Sequence, residues 1–166
     1  MDTKRPKLSI PLTPTDISAE VLALAALVCS AVIRFLIVPK LANVIPTHFD
    51  ASGAADLWGP KTTIYPLFYI VIWTYVGLTI LSRFPHFFNY PWPITEENAQ
   101  AQYRIARSMM IWMKAEILLT LTYSTWGISR VSMGVSNSLG LWFIPVFLVV
   151  LFGTTAFHIF KLYKAR

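Results

Sequence analysis

The chain has 166 residues, of which 55% are apolar and 13% charged, with a net charge of +6. A soluble domain carries roughly 25% charge, so a water-facing surface is excluded for most of this sequence. The basic residues stand at the ends of apolar runs rather than among aromatics on a polar face. That excludes nucleic acid as a partner and points to the lipid bilayer.

The first apolar run is Ile17 to Val38. Asp16 is its expected N-cap and Pro39 its expected stop. At 1.5 Å per residue the run rises about 33 Å, enough to span, and it is too long for the core of a signal peptide. It therefore reads as a retained anchor helix. The single cysteine, Cys29, lies in this run, so no intrachain disulfide and no thiolate zinc site are expected.

The second run is Thr62 to Ser82, without any charge and with Pro66 near its start. The third covers Met109 to Ile128. Its helix is expected to begin earlier, near Glu96, with Thr95 as N-cap and Glu96 and Glu97 in the first turn. The segment before Met109 then projects from the bilayer or lies among the headgroups. The fourth run is Leu139 to Phe160, with Pro145 in its second turn. The expected fold is an all-α, four-span membrane domain occupying residues 1–166.

Direction follows from the loops. Lys4, Arg5 and Lys7 precede the first run. Arg83, Arg104 and Arg107 flank the middle connection, and Lys161, Lys164 and Arg166 end the chain. Lys40, Lys61 and Arg130 fall on the other side. The positive-inside rule then places both termini and the middle connection in the cytoplasm, in a multi-pass protein of the cytoplasmic membrane. Trp58, Trp92, Trp126 and Trp142 fall at the expected interfaces, and His158 near the inner end of the fourth run.

Arg34, Lys114 and Glu116 are charges that lie inside the runs. Arg34 and Lys114 are each near an end and can snorkel to the headgroups. Glu116 is deeper and shorter, so it needs a polar partner or a proton. Thr120 and Tyr123 share its helical face. It reads either as an interhelical hydrogen bond or as a proton or ion site.

The loop IPTHFDASGAADLWGPK, Ile45 to Lys61, carries most of the chemistry outside the runs. Asp50 to Gly53 has the preferred ends of a type I turn. Trp58 to Pro60 returns the chain to the bilayer. His48, Asp50 and Asp56 match no zinc signature, and no nucleophile stands at a recognised spacing from a base. His86 falls on the opposite side. No cofactor or metal is expected, and an enzyme is the lesser reading.

This loop resembles the pattern Ile-Pro-x-His-Phe-Asx, then Gly, then Asp-x-Trp-Gly-x-Lys. That pattern marks a prokaryotic membrane domain of unknown function found at the N-terminus of immunity proteins against the sporulation-delaying toxin peptide (the SdpI type). NYPWPITEENAQAQYRIARSMMIWMK, Asn89 to Lys114, is similar to the domain's second signature. The resemblance picks out Pro46, His48, Phe49, Gly53, Asp56, Trp58, Gly59 and Lys61 in the outer loop. In the inner loop it picks out Asn89, Pro91, Glu97 and Asn98. Asp50 stands where Asn is often expected. Those immunity proteins continue into further membrane helices, beyond the four spans read here.

The resemblance implies a non-enzymatic binding protein, giving immunity to a membrane-active peptide or serving envelope signalling. Trp58 and Phe49 would offer apolar contacts, and Asp50 and Asp56 would face a cationic partner. Lys61 belongs to the same candidate surface. A peptide, a partner membrane protein or a second copy of the chain are the expected partners. Two alternatives stand beside this reading. One is transport or an accessory-subunit role centred on Glu116, and the other is a membrane-embedded enzyme using His48 and Asp50.

Overall fold

A computed structural model describes residues 5–166; Lys4, used above for direction, lies outside the described residues. The chain is mostly helical. Helix α1 is Pro14–Val32, α2 is Tyr65–Leu81, α3 is Ala99–Ser132 and α4 is Phe143–Lys164. The all-α expectation needs correction. Strands β1, Val44–Phe49, and β2, Ala55–Pro60, form an antiparallel hairpin between α1 and α2.

The helix ends follow local chemistry. Thr13, not Asp16, caps α1: its hydroxyl accepts from the Asp16 N–H, and the Asp16 carboxylate accepts from the Thr13 N–H. This reciprocal capping box satisfies two orphan donors at once. The other end continues beyond Pro39. The α-helix widens into a π turn over Ile33–Ile37, then tightens into a 3₁₀ turn over Val38–Lys40. A proline at 39 has no N–H to donate, so regular i→i−4 bonding fails there and the altered pitch carries the chain on.

At the start of α3 the Thr95 N–H donates to Asn98 Oδ1, and the Asn98 N–H donates to Thr95 Oγ1. The N-cap is nevertheless Asn98 rather than the expected Thr95, and regular helix begins at Ala99. Helix α3 has 34 residues and runs on to Ser132, past the expected Ile128. Helix α4 starts at Phe143 rather than Leu139, so Pro145 lies in its first turn. Residues Leu139 and Gly140 belong to the connection instead.

Among the described residues, three helical stretches are long and apolar enough to cross a membrane: Pro14–Lys40, Lys61–Leu81 and Phe143–Lys164. Helix α3 is longer but more polar, and it is the centre of the assembly. Along α1, Ala19, Ala23 and Ala26 present one small-residue face to Ile111, Ala115 and Leu118 of α3. Small side chains allow close helix approach where lipid removes the ordinary hydrophobic drive. Val71 of α2 closes the same core.

The core also holds an ion pair. The Lys114 ammonium donates to Glu20 Oε2 of α1 at 2.6 Å and to Thr79 Oγ1 of α2 at 2.8 Å, with the Tyr75 ring 5.1 Å away. Lys114 is 0% exposed and Glu20 24%. Lys114 therefore does not snorkel. In a low-dielectric interior an acidic partner is worth more than a long reach to water.

The two ends of the bundle are distinct. The hairpin and the α3–α4 connection meet at one end, where Leu139 N–H donates to Gly53 O at 2.8 Å. At the other end Arg5 donates to the carbonyls of His86 and Phe88, Arg107 to that of Ile10, and Gln102 to that of Leu162. The described N-terminal segment, the α2–α3 connection and the end of α4 thus share one end.

Replacing Lys114 alone strands a carboxylate among apolar groups, whereas removing both charges does not. Lys114→Met is expected to cost about 3–5 kcal/mol of apparent stability. The double change Glu20→Leu/Lys114→Met is expected to recover more than half of that. Thermal unfolding followed by circular dichroism in detergent measures both, and additive losses would contradict a coupled pair.

Candidate functional site

The hairpin is built by the motif residues themselves. Asp50 turns the chain: its Oδ1 accepts from Ser52 Oγ at 2.6 Å, Ser52 N at 2.8 Å and Ala54 N at 3.0 Å. The Gly53 N–H donates to Asp50 O at 2.9 Å, closing a four-residue turn. Gly53 has φ +80°, and a Cβ there would stand 3.0 Å from Gly140 O. Both the left-handed backbone and the approach of the α3–α4 connection require glycine. Asn could accept the same backbone bonds as Asp50, which accounts for either residue serving the turn.

Lys61 is also structural. Its ammonium donates to Leu41 O at 2.8 Å and Pro39 O at 3.4 Å. Those carbonyls end the α1 segment, where a cation is favoured. The motif lysine therefore ties the hairpin's return to the helix it left. Arg34 stacks over the Tyr65 ring at 4.2 Å, joining the same helix end to the start of α2.

What remains free is the outer face. His48 Nδ1 and Asp56 Oδ1 lie 2.6 Å apart across the strands, with side chains 65% and 44% exposed. The structure pairs His48 with Asp56, not with Asp50. Register shifts on either side of His48 bring it onto the Asp56 side of the ladder. Trp58 and Leu57 are exposed on β2, and Leu141 and Trp142 on the adjoining connection. Phe49 is only half-buried, and Pro46 is buried at the base. The four apolar side chains and the His48–Asp56 pair occupy two touching loops held by backbone bonds. Leu57 and Leu141 were not singled out from sequence, and Trp142 was read there only as an interfacial residue. Only the observed pairing of the loops brings the last two beside the hairpin.

The inner-loop motif has a different character. Asn98 completes the reciprocal pair of hydrogen bonds with Thr95 and its Nδ2 donates to Pro93 O at 3.1 Å. Asn89, Pro91 and Glu97 are exposed. These residues lie at the opposite end from the hairpin and do not join it.

Within the bundle Glu116 is 9% exposed and accepts from the Thr154 hydroxyl of α4, while its Oε2 has no partner among the described residues. The expected helical neighbours do not serve it. Thr120 Oγ1 donates to the Glu116 main-chain carbonyl, and Tyr123 Oη to Leu139 O. His158 is buried rather than interfacial, with Nδ1–H donating to Thr154 O at 2.8 Å. No cluster of three His, Cys, Asp or Glu side chains able to hold a metal occurs among the described residues.

A helical chain with three candidate spans and a capped hairpin at one end is the class defined by this architecture. Residues 25–73 match the family model of a domain of unknown function (DUF1648). The matched segment starts in α1, takes in both strands and ends in α2, so it contains the whole outer-loop motif. A domain of unknown function was expected from that motif, and the match is to one. Asn89 to Lys114 lies beyond the matched residues. No curated protein and no solved structure matches the chain.

The three donors on Asp50 hold its carboxyl below the ordinary aspartate value of 3.8, with the Ser52 hydroxyl the largest cause. A depressed folded-state value means the turn is most stable ionised. That contribution is complete above the ordinary value and is lost as pH falls through the lower, folded one. The Asp50 carboxyl resonance in micelles is expected to titrate below 3.8. Asp50→Asn should keep slow amide exchange at Ser52 and Ala54 without that acid dependence, and Asp50→Ala should accelerate it.

Proposed function

We propose that this is a four-span protein of the cytoplasmic membrane whose hairpin end faces outward and binds a membrane-active peptide. Helix α3 serves as the fourth span because its polar groups are turned inward. Lys114 meets Glu20 and Thr79, Thr122 donates to Ala26 O, and Glu116 accepts from Thr154. A helix whose polar atoms are met by its neighbours can stand in hydrocarbon despite modest hydropathy. The excess of basic residues at the end opposite the hairpin supports termini inside.

The observation that carries the reading is the exposed outer platform. Asp50, Gly53 and Lys61 build it, leaving Leu57, Trp58, Leu141 and Trp142 with the His48–Asp56 pair at its surface. Aromatic and aliphatic anchors beside a carboxylate suit an amphipathic cationic peptide arriving at the membrane surface. Asp56, rather than Asp50, is the acid left to meet its charge. Protection against such a peptide, or sensing of it for envelope signalling, follows from binding without any chemical step.

A second reading is favoured by Glu116. Its Oε2, without a partner among the described residues, and its hydroxyl-linked Oε1 suit a proton or cation site in a transporter or an accessory subunit. Four spans would then work as an oligomer. The two readings separate in one comparison.

Cells with and without the protein are exposed to pore-forming and cationic peptides while membrane potential is recorded. Expression should prevent depolarisation by at least one peptide. Trp58→Ala and Asp56→Ala should each raise the protein level needed by about tenfold, the scale of a lost interface anchor. Lys40→Gln, outside the platform, should not. If Glu116→Gln abolishes protection and the two platform variants do not, the Glu116 reading replaces the first.

A further inference from the structure

A cleft opens between α1, α3 and α4 at the end opposite the hairpin. Its outer part, about 360 Å³, is lined by Thr13, Thr15, Arg104, Ser108, His158, Lys161 and Lys164, among others. The inner part, about 460 Å³, shares Thr15, Ser108, His158 and Lys161, and adds the apolar Trp112, Gly153 and Phe157. The cleft therefore has a cationic end and an open apolar stretch along α3 and α4.

The spacing that builds it is helical. Arg104, Ser108 and Trp112 stand four apart on α3, and Gly153, Phe157, Lys161 and Lys164 share a face of α4. Three cations from two helices face one mouth. The exposed acids at that end, Glu96 and Glu97, do not line the cleft, and Asp16 is buried and already occupied: Oδ2 accepts from Thr13 N at 2.9 Å and Oδ1 from Ser108 Oγ at 2.6 Å. Lys161 and Lys164 pack against the rings of their own helix, Phe157 and Phe160, and make no ion pair among the described residues. The Thr13 and Thr15 hydroxyls share one hydrogen bond, which leaves one O–H to donate. His158 spends Nδ1–H on Thr154 O, which leaves Nε2 without a protein partner among the described residues.

We infer that this cleft binds the phosphate of an anionic phospholipid of the inner leaflet. Arg104, Lys161 and Lys164 engage the phosphate oxygens, and the acyl chain enters along Trp112, Gly153 and Phe157. Arginine and lysine are the side chains suited to phosphate, as a planar fork and a point charge respectively. Basic pockets between spans on the cytoplasmic side are where anionic headgroups are recognised. The open apolar stretch favours a lipid over a free phosphate, which needs only the cationic end. The inference rests on the membrane reading above but not on the peptide reading.

The test uses full-length protein purified in detergent and shown to be helical by circular dichroism. Thermal unfolding is measured with phosphatidylglycerol, with phosphatidylcholine and with inorganic phosphate. Phosphatidylglycerol should raise the midpoint by several degrees over phosphatidylcholine. Arg104→Gln/Lys161→Gln/Lys164→Gln should lose that difference, while Arg83→Gln, at the same end but outside the cleft, keeps it. Equal effects of the two lipids, or selectivity unchanged in the triple variant, would overturn the inference. Stabilisation by inorganic phosphate as strong as by phosphatidylglycerol would overturn the lipid assignment and make the occupant a free anion. Membrane embedding is read separately, by resistance of the cell-membrane fraction to carbonate extraction. Loss of embedding removes the membrane reading, whereas embedding without lipid selectivity removes only this inference.

Discussion

The bundle is organised around one buried ammonium. Lys114 stands where α1, α2 and α3 meet, bonded to Glu20 and Thr79 with no exposed surface of its own. In hydrocarbon such a charge has few tolerable arrangements, because leaving either partner unpaired costs several kcal/mol. Apolar packing alone tolerates sliding and rotation of one helix on another. The ion pair and the hydroxyl together fix which face of α3 meets which neighbour. The alanine face of α1 then falls against Ile111, Ala115 and Leu118, and close approach follows. Glu116 lies two positions on, roughly 200° around the helix, and so faces α4. One polar residue on each side makes α3 the shared wall of the bundle.

The same economy governs the hairpin end. A two-stranded hairpin has little stability by itself, so it must be fixed by what surrounds it. Lys61 returns to the carbonyls closing the α1 segment, and Ile45 buries among Ile33, Val38, Leu41 and Ile64. The tip is held by the α3–α4 connection, through Gly53 and Leu139. Several motif residues thus act on conformation, leaving a smaller set free to meet a partner. A motif of this kind mixes two demands. Asp50, Gly53 and Lys61 give the surface its shape, while His48, Asp56 and Trp58 present its chemistry.

The apolar runs were legible because hydropathy is a local property, but the limits of α3 and α4 were not. Nor were the strands. Val44–Phe49 and Ala55–Pro60 are short and each contain proline, so they read as a loop until the turn at Asp50 and the register between them are seen. Glu20 was absorbed into an apolar run, and nothing local ties it to Lys114, 94 positions away in the chain. The partner of Glu116 was sought at helical spacing on α3 and lies on α4 instead. In each case the missing information was a contact between elements, which periodicity cannot carry. The outer platform shows the same division: Trp58 and Asp56 could be named from the motif, but Leu141 and Trp142 join it only through the folded loops.

Helix α4 is the least enclosed of the helices. Of its residues only His158 and Leu162 are buried, and both lie towards its far end. Its links to α3 are polar and spread along its length: Tyr123 to Leu139 just before it, Thr154 to Glu116 midway, and Gln102 to Leu162 near its end. In water such a helix would be weakly held, because almost none of its apolar surface is removed from solvent. In lipid that surface needs no cover, and the hydrogen bonds compete with hydrocarbon rather than with water. Sparse packing with polar fastenings at three levels is therefore a coherent way to hold a helix in a bilayer. It also leaves room between α4 and its neighbours for the cleft that collects Arg104, Lys161 and Lys164. The helix that is least packed is for that reason the one able to share its inner face with a ligand.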